Sequence, residues 1–175
     1  LIFKEKKYKS FGQFKFLHKK LIIINGWSKN YGMTGWRMGW SYWPNKFIKS
    51  LELMCLNSFT SPNMVSQKLV EKIILNKTYV KSHIKQLKKN RDYIFKKYKN
   101  LNSIIPEGAI YLFLKIPKNF KSDHSFCEFF FKKFNIAIVP GSSFGKTANR
   151  YVRVNFSKKF SNVEKFIKNY LKINA

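Results

Sequence analysis

The sequence predicts an α/β fold in two lobes joined by a long helix. Three observations lead to this prediction. Short apolar, β-branched runs stop at glycine or proline, longer segments repeat apolar residues at helical spacing, and the two kinds of segment alternate along the chain. The 175 residues are enough for one large core or two modest ones.

The first part of the chain predicts two strands followed by helices. Residues 21–25 are an apolar run that ends at Asn-Gly, and residues 38–43 are aromatic-rich and end at a proline. Residues 45–56 keep apolar side chains on one helical face. We expect the next helix to begin at Ser61-Pro62, with the serine as N-cap and the proline in the first turn.

A long amphipathic helix is predicted over residues 78–99, and the pattern then changes. The remaining chain alternates strands and helices over residues 109–116, 122–134, 136–139, 151–156 and from 161 onward. The last helix is expected to start with a capping box formed by Ser161 and Glu164.

Strand 151–156 makes a specific prediction for its arginine. With a side-chain period of two, Arg153 shares a face with Tyr151 and Asn155, whereas the valines and Phe156 face the other way. The apolar face is expected to pack on the phenylalanine-rich helix, so Arg153 points away from that core. None of the eight acidic residues lies within six positions of it.

The net charge of +27 invites a nucleic-acid reading, but the kind of cation argues against it. Lysine supplies 31 of the 35 basic residues (35 minus four arginines). Other residues with A/T-rich codons are also abundant, which indicates a genome-wide base bias rather than selection for positive charge. Proteins that recognise specific bases favour arginine, because its guanidinium forms two parallel hydrogen bonds with guanine or phosphate. A basic nucleic-acid-binding module therefore stays an alternative, and we expect no nucleic-acid partner.

Cysteine usage and hydropathy indicate a cytoplasmic protein. Cys55 and Cys127 have neither metal-ligand spacing nor a disulfide pattern, so we expect two free thiols and no metal site. No apolar run approaches the roughly 20 residues that a membrane helix needs, and we expect no membrane partner.

One stretch carries most of the functional information, "NGWSKNYGMTGWRMGW" at residues 25–40. Its glycines let the backbone approach a ligand closely. Ser28 and Arg37 are suited to an anion such as phosphate, and Lys29, if enclosed beside a cation, offers a nucleophilic amine. An amine with a phosphate clamp suits pyridoxal 5'-phosphate. The residues alone also fit an ordinary turn with a solvated lysine.

This stretch resembles the lysine segment of the class I and II aminotransferases, the fold-type I pyridoxal-phosphate family. The eight-residue spacing from Lys29 to Arg37 and the block "MTGWRMG" agree with it, most closely with the aspartate and aspartate/prephenate branch. The resemblance implies that Lys29 is the catalytic Schiff-base lysine and that Ser28 and Arg37 bind the cofactor phosphate. Trp27, Trp36 and Tyr31 are expected to pack around the loop.

The resemblance continues through "NSFTSPNMVSQKL", "PEGAIYLFLKIP", "IAIVPGSSFG" and "YVRVNFS". In the family, the arginine of the last segment holds the substrate α-carboxylate, which implies that role for Arg153. Arg150 is expected to be structural or exposed, and Arg91 to form a salt bridge or lie on the surface.

The resemblance covers only the C-terminal half of a full aminotransferase. It implies that residues 1–77 end a large cofactor-binding domain and that residues 78–175 form the linking helix and a small domain. The aspartate that pairs with the pyridine nitrogen is expected upstream of residue 1, so this piece alone should be inactive.

The complete protein is expected to be a homodimeric enzyme of amino-acid biosynthesis. It would exchange amino groups between an amino acid, aspartate or glutamate, and a 2-oxo acid. Another fold-type I enzyme, a lyase or synthase, is the alternative that keeps the fold and changes the reaction.

Overall fold

The computed structural model describes residues 3, 8–98, 101, 103, 105–157 and 159–174, and the chain divides into two compact units, Leu1–Ile84 and Lys85–Ala175. The division falls inside a long helix. The assignment of residues 1–77 to a larger domain stays a prediction.

The first unit holds a β-hairpin followed by helices. Its elements are β1 (Ile23–Gly26), α1 (Trp27–Asn30), β2 (Gly39–Tyr42), α2 (Ile48–Ser58), α3 (Met64–Leu75) and the beginning of α4 (Lys77–Lys97). The strands pair antiparallel, with Ile23 opposite Tyr42 and Gly26 opposite Gly39. The two strands and α2 predicted from the sequence are therefore present, with 3-10 turn Asn45–Phe47 preceding α2.

The expected start of α3 at Ser61-Pro62 is wrong. The N-cap is Asn63, whose side-chain oxygen accepts a hydrogen bond from the Ser66 backbone N–H at 3.0 Å. Asparagine competes well with serine as a cap because its short side-chain oxygen reaches the first-turn N–H groups. Helix α4 ends at Lys97, and the predicted end at residue 99 lies outside the described residues.

The second unit packs helices on one face of a three-stranded antiparallel sheet. It adds β3 (Tyr111–Lys115), α5 (Asp123–Phe134), β4 (Val139–Pro140), β5 (Tyr151–Asn155) and α6 (Phe160–Asn174) to the rest of α4, and the strand order is β3-β5-β4. The core is aromatic and aliphatic, with Leu114, Phe126, Phe130, Val152, Phe156 and Ile167 fully buried.

Three predicted element boundaries in the second unit differ from those in the structure. Strand β3 begins at Tyr111 rather than residue 109, where Ala109 has a left-handed backbone (φ 63°) that extended pairing does not allow. Of the predicted strand 136–139, only Val139 pairs, together with Pro140. The capping box is wrong because α6 already begins at Phe160, and Glu164 instead forms a 2.6 Å ion pair with Lys97.

Helix α5 begins as predicted. Ser122 is its N-cap and exchanges hydrogen bonds with Ser125 in a capping box. Among the described residues, no helix is both long and apolar enough to cross a lipid bilayer.

Candidate functional site

The hairpin of the first unit places Ser28 and Lys29 on a single helical turn. Strand β1 ends at Gly26, and α1 follows immediately. Gly39 lies opposite Gly26, and a Cβ on Gly39 would approach the Asn25 carbonyl oxygen to 3.0 Å. The two strands therefore come together closely at the base of the loop, which fixes where α1 starts.

Thr34 links the two predicted anion-binding residues. Its hydroxyl donates to the Ser28 carbonyl oxygen at 3.1 Å, and its own carbonyl oxygen accepts from Arg37 Nη1 at 3.1 Å. Thr34 was not among the predicted site residues. The signal was its place in "MTGWR", a hydroxyl side chain between the lysine and the arginine.

Arg37 holds a strained backbone. Its φ of 53° and ψ of 39° lie in the left-handed region, which costs a residue with a Cβ on the order of 1–3 kcal/mol. Such strain persists where the surrounding structure imposes it, and it often occurs in ligand-binding segments. Only one Arg37 N–H group bonds a described residue, so the rest of its donor fork remains for an anion.

Lys29 lies in the last turn of α1 and is exposed, and Ser28 is half-buried. The described residues therefore do not enclose the Lys29 amine, which was the condition for lowering its pKa. An accessible amine, a hydroxyl and a guanidinium remain within one short loop. This donor set fits a ligand that carries both an aldehyde and a phosphate.

Aromatic rings pack around this loop as expected, with one exception. The Trp27 ring lies 4.9 Å from the Tyr31 ring and 6.3 Å from the Trp40 ring, measured between centroids. The Tyr31 carbonyl oxygen also accepts from the Tyr79 hydroxyl at 3.1 Å. Trp36 is different, because 46% of it is exposed to solvent.

Arg153 lies on the open face of the sheet in the second unit, as the alternation predicted. Val152 and Val154 are buried on the other face. The Arg153 guanidinium carbon stands 4.2 Å from the Tyr111 ring centre and 4.3 Å from the Phe144 ring centre. A cavity of about 390 Å³ opens beside it. Within the described residues, no carboxylate lies within ion-pair distance of Arg153.

The other two arginines of this unit have structural partners. Arg91 is buried and binds the Asp92 carboxylate and the Pro106 carbonyl oxygen, as the salt-bridge expectation foresaw. Arg150 is half-buried rather than exposed, and it donates to the carbonyl oxygens of Phe120 and Pro117. Arg153 therefore differs from both in having its guanidinium available beside a cavity.

The structure brings Ser28, Lys29 and Arg37 together in the first unit and places Arg153 in the second. The assignments of the first three to the cofactor and of Arg153 to the substrate stay predictions. The aromatic pair around Arg153 was not foreseen, because Phe144 approaches from a loop that is nine residues away in sequence.

Comparison with known proteins gives consistent matches. The family model described as aminotransferase class I and II matches residues 4–169. A probable aspartate/prephenate aminotransferase of Rickettsia conorii is 31% identical over 163 residues, covering 85% of this chain and 40% of that protein. An aspartate aminotransferase of Pyrococcus abyssi is 26% identical over 168 residues, covering 93% of this chain and 43% of that protein.

The aromatic aminotransferase of Pyrococcus horikoshii OT3 superimposes with a TM-score of 0.85 at 25% identity. That alignment covers 98% of this chain and 48% of the solved chain. The chain thus spans less than half the length of the relatives that it matches.

Proposed function

This chain belongs to the class I and II aminotransferase family, and from that premise we propose that the complete protein transfers amino groups between an amino acid and a 2-oxo acid with pyridoxal 5'-phosphate as cofactor. The observation that carries the proposal is the loop in which Thr34 links Ser28 to Arg37, with Lys29 next to Ser28 on the same helical turn. We propose aspartate or glutamate as amino donor, on the similarity to relatives named for aspartate.

Each proposed residue has a distinct task. Pyridoxal phosphate, when bound, supplies an aldehyde that condenses with amines and a ring that withdraws electrons from the substrate Cα. The Lys29 amine would hold the aldehyde end, and the Ser28 hydroxyl with the Arg37 fork would hold the phosphate. As a free amine, Lys29 Nζ would act as the general base that takes the proton from the substrate Cα.

Arg153 would bind the α-carboxylate of the substrate. A planar guanidinium can bond both carboxylate oxygens and so fixes the direction of the Cα–H bond. The rings of Tyr111 and Phe144 contact its guanidinium carbon, and among the described residues no acceptor bonds the guanidinium N–H groups, which are left for that contact. We further propose a cytoplasmic homodimer that works in amino-acid biosynthesis, and that residues 1–175 alone are inactive.

Covalent trapping tests the lysine assignment. The protein is incubated with pyridoxal phosphate and reduced with borohydride, and the labelled peptide is identified by mass spectrometry. We expect the label on Lys29 and its loss in Lys29→Ala. Lys46→Ala is the matched control because Lys46 is also an exposed lysine of the first unit, and it should keep the label. Specific labelling at another lysine that persists in Lys29→Ala would refute the proposal.

Arg153→Ala separates substrate binding from cofactor binding. In the complete protein, kcat/KM for amino-acid substrates should fall about 10²–10³-fold, because the carboxylate loses a charge-assisted, bidentate partner. Trapping at Lys29 should be unchanged. A variant that lost the cofactor instead would contradict the assignment of Arg153 to the substrate.

A further inference from the structure

Asp123 is a buried carboxylate whose position needs an explanation. It is the first residue of α5 and only 2% exposed. Its Oδ2 accepts from the Ser142 backbone N–H at 2.7 Å, and its Oδ1 accepts from the His124 backbone N–H at 3.0 Å. Among the described residues no cation forms an ion pair with it.

Hydrogen bonds keep this carboxylate charged. Burial alone would raise the pKa of Asp123, but the bonds from Ser142 and the His124 N–H outweigh it and hold the pKa below the ordinary aspartate value. The positive end of the α5 dipole also favours a negative charge there. Asp123 is thus a strong acceptor that ties the 3-10 turn Gly141–Phe144 to the start of α5.

The same turn is pressed against β5 from its other side. A Cβ added to Gly141 would meet the Ala148 carbonyl oxygen at 2.2 Å and the Tyr151 carbonyl oxygen at 2.6 Å. Only glycine fits at such an approach. The turn is therefore fixed at Gly141 by packing and at Ser142 by Asp123, one and two residues after Pro140.

Phe144 stands at the end of this fixed turn and contacts Arg153. Its ring covers the guanidinium at 4.3 Å and meets the Phe113 ring edge-on, with centroids 5.6 Å apart. Tyr111 covers the guanidinium at 4.2 Å. A shift of the turn would move Phe144 and leave Arg153 with one ring instead of two.

We propose that Asp123 is a positioning residue for substrate binding, acting through Ser142 and Phe144 to hold the Arg153 guanidinium between two rings. The proposal rests on the proposed function in giving Arg153 the α-carboxylate. A long arginine side chain that is already ordered pays less conformational entropy when the carboxylate binds, and it presents its fork in one direction. Asp123 touches neither substrate nor cofactor in this role.

Arginine-selective NMR tests the positioning directly, because these 175 residues contain only four arginines and substitution identifies the signal of each one. The protein is labelled with ¹⁵N-arginine, and the Arg153 Nε–H signal is assigned by its loss in Arg153→Lys. Two flanking rings should shift that signal away from the ordinary arginine position through ring currents. In Asp123→Asn the weaker acceptor should release the turn, and the signal should move towards the ordinary position.

Asp92→Asn is the matched control, since it also converts a hydrogen-bonded aspartate of the second unit to the amide. It should move the Arg91 signal, because Asp92 binds that guanidinium, and leave Arg153 unchanged. Phe144→Leu should remove part of the Arg153 shift, and Phe144→Tyr should keep it. If Asp123→Asn does not fold, Ser142→Pro makes the same comparison by removing the donor N–H.

The proposal is overturned if Asp123→Asn and Ser142→Pro both leave the Arg153 signal in place, or if Asp92→Asn moves it equally. In the complete enzyme, Asp123→Asn should raise KM for the amino acid about tenfold and change kcat less than about twofold. A tenfold fall in kcat with an unchanged KM would also overturn it. The NMR measurement needs neither cofactor nor substrate, so its outcome stays separate from that of trapping at Lys29.

Discussion

The two units of the chain bury their apolar side chains to very different extents. The second unit encloses a ring cluster in which Phe126, Phe130 and Phe166 are at most 1% exposed. In the first unit, large apolar side chains stand in solvent, among them Ile24 at 76% and Leu75 at 82%. Helical and strand periodicity marks an apolar face in both units, but it does not tell whether the same chain covers that face.

The largest expected difference follows from truncating apolar residues in each unit. Phe130 packs against Phe134 and Phe166 with ring centroids 4.8 and 4.9 Å away. Phe130→Ala should lower the free energy of unfolding by about 3–5 kcal/mol, through lost burial and a cavity. Leu75→Ala should change it by less than about 0.5 kcal/mol, since Leu75 is exposed. Urea unfolding of both variants measures the difference, and equal losses would show that Leu75 is covered in solution.

A pair of glycines sharpens the same comparison at the level of the backbone. Gly141→Ala should cost about 1–3 kcal/mol, because its Cβ would overlap two carbonyl oxygens and the turn would have to move. Gly35→Ala should be nearly neutral, since nothing lies within 4 Å of its Cβ position. Thermal unfolding of the two variants checks this. A neutral Gly141→Ala would mean that the turn adapts freely, which would also weaken its role in holding Phe144.

Two residues with left-handed backbone angles, Arg37 in the first unit and Asn135 in the second, provide a third comparison. Arg37→Gly should raise the free energy of unfolding by up to about 0.5 kcal/mol, because relief of the Cβ strain at φ 53° is largely offset by greater chain entropy and by loss of the exposed hydrogen bond to the Thr34 carbonyl oxygen. Asn135→Gly should change little, since asparagine tolerates its φ of 52° at the end of α5.

For Arg37 the gain in stability should come with weaker cofactor binding. Loss of the donor fork should reduce pyridoxal-phosphate affinity by about 1–3 kcal/mol, measured by absorbance titration of the complete protein. Unchanged affinity in Arg37→Gly would remove Arg37 from the proposed phosphate site.

The smallest effect concerns two ion pairs. The hydrogen bond from Lys97 lowers the pKa of Glu164, and the bonds to Glu164 and Tyr93 raise the pKa of Lys97. The stabilisation should therefore be lost as pH falls through the lowered Glu164 pKa, and as pH rises through the raised Lys97 pKa. Glu164→Gln should reduce stability at neutral pH and match the unmodified protein in strong acid.

The control is the exposed pair Lys68–Glu71 in the first unit, whose side chains are 69% and 64% accessible. Glu71→Gln should change stability little at neutral pH, as is usual for exposed pairs. Denaturant unfolding over a pH series distinguishes the pairs, and a pH-independent Glu164→Gln effect would contradict the assignment.

Sequence reasoning succeeded where a single local rule decides the outcome. Alternation along β5 oriented Arg153, and helical periodicity placed α5 at residues 122–134, within one residue of its observed start. It failed where two local signals compete, as with Asn63 against Ser61 for the start of α3. A serine three residues before a glutamate also occurs inside helices, and Ser161 lies within α6 rather than capping it.

Features that depend on how the chain closes on itself, within a loop or between distant segments, could not be predicted. The left-handed backbone of Arg37 and the link through Thr34 arise from how the loop closes on itself. The hydrogen bond between Asp123 and Ser142 joins residues 19 positions apart, and no sequence pattern in either segment predicts this contact. The roles of the donor set came from family resemblance, because a short loop with a lysine has many uses.

The four guanidinium contacts have an evolutionary consequence in a chain that otherwise uses lysine. Each arginine makes a contact that a compact ammonium cannot reproduce: a carboxylate with a carbonyl at Arg91, two carbonyls at Arg150, two rings at Arg153 and a strained loop at Arg37. A single-nucleotide change can turn an arginine codon into a lysine codon. Selection against that change should therefore be strongest at these four positions, while the exposed lysines other than Lys29 remain free to vary.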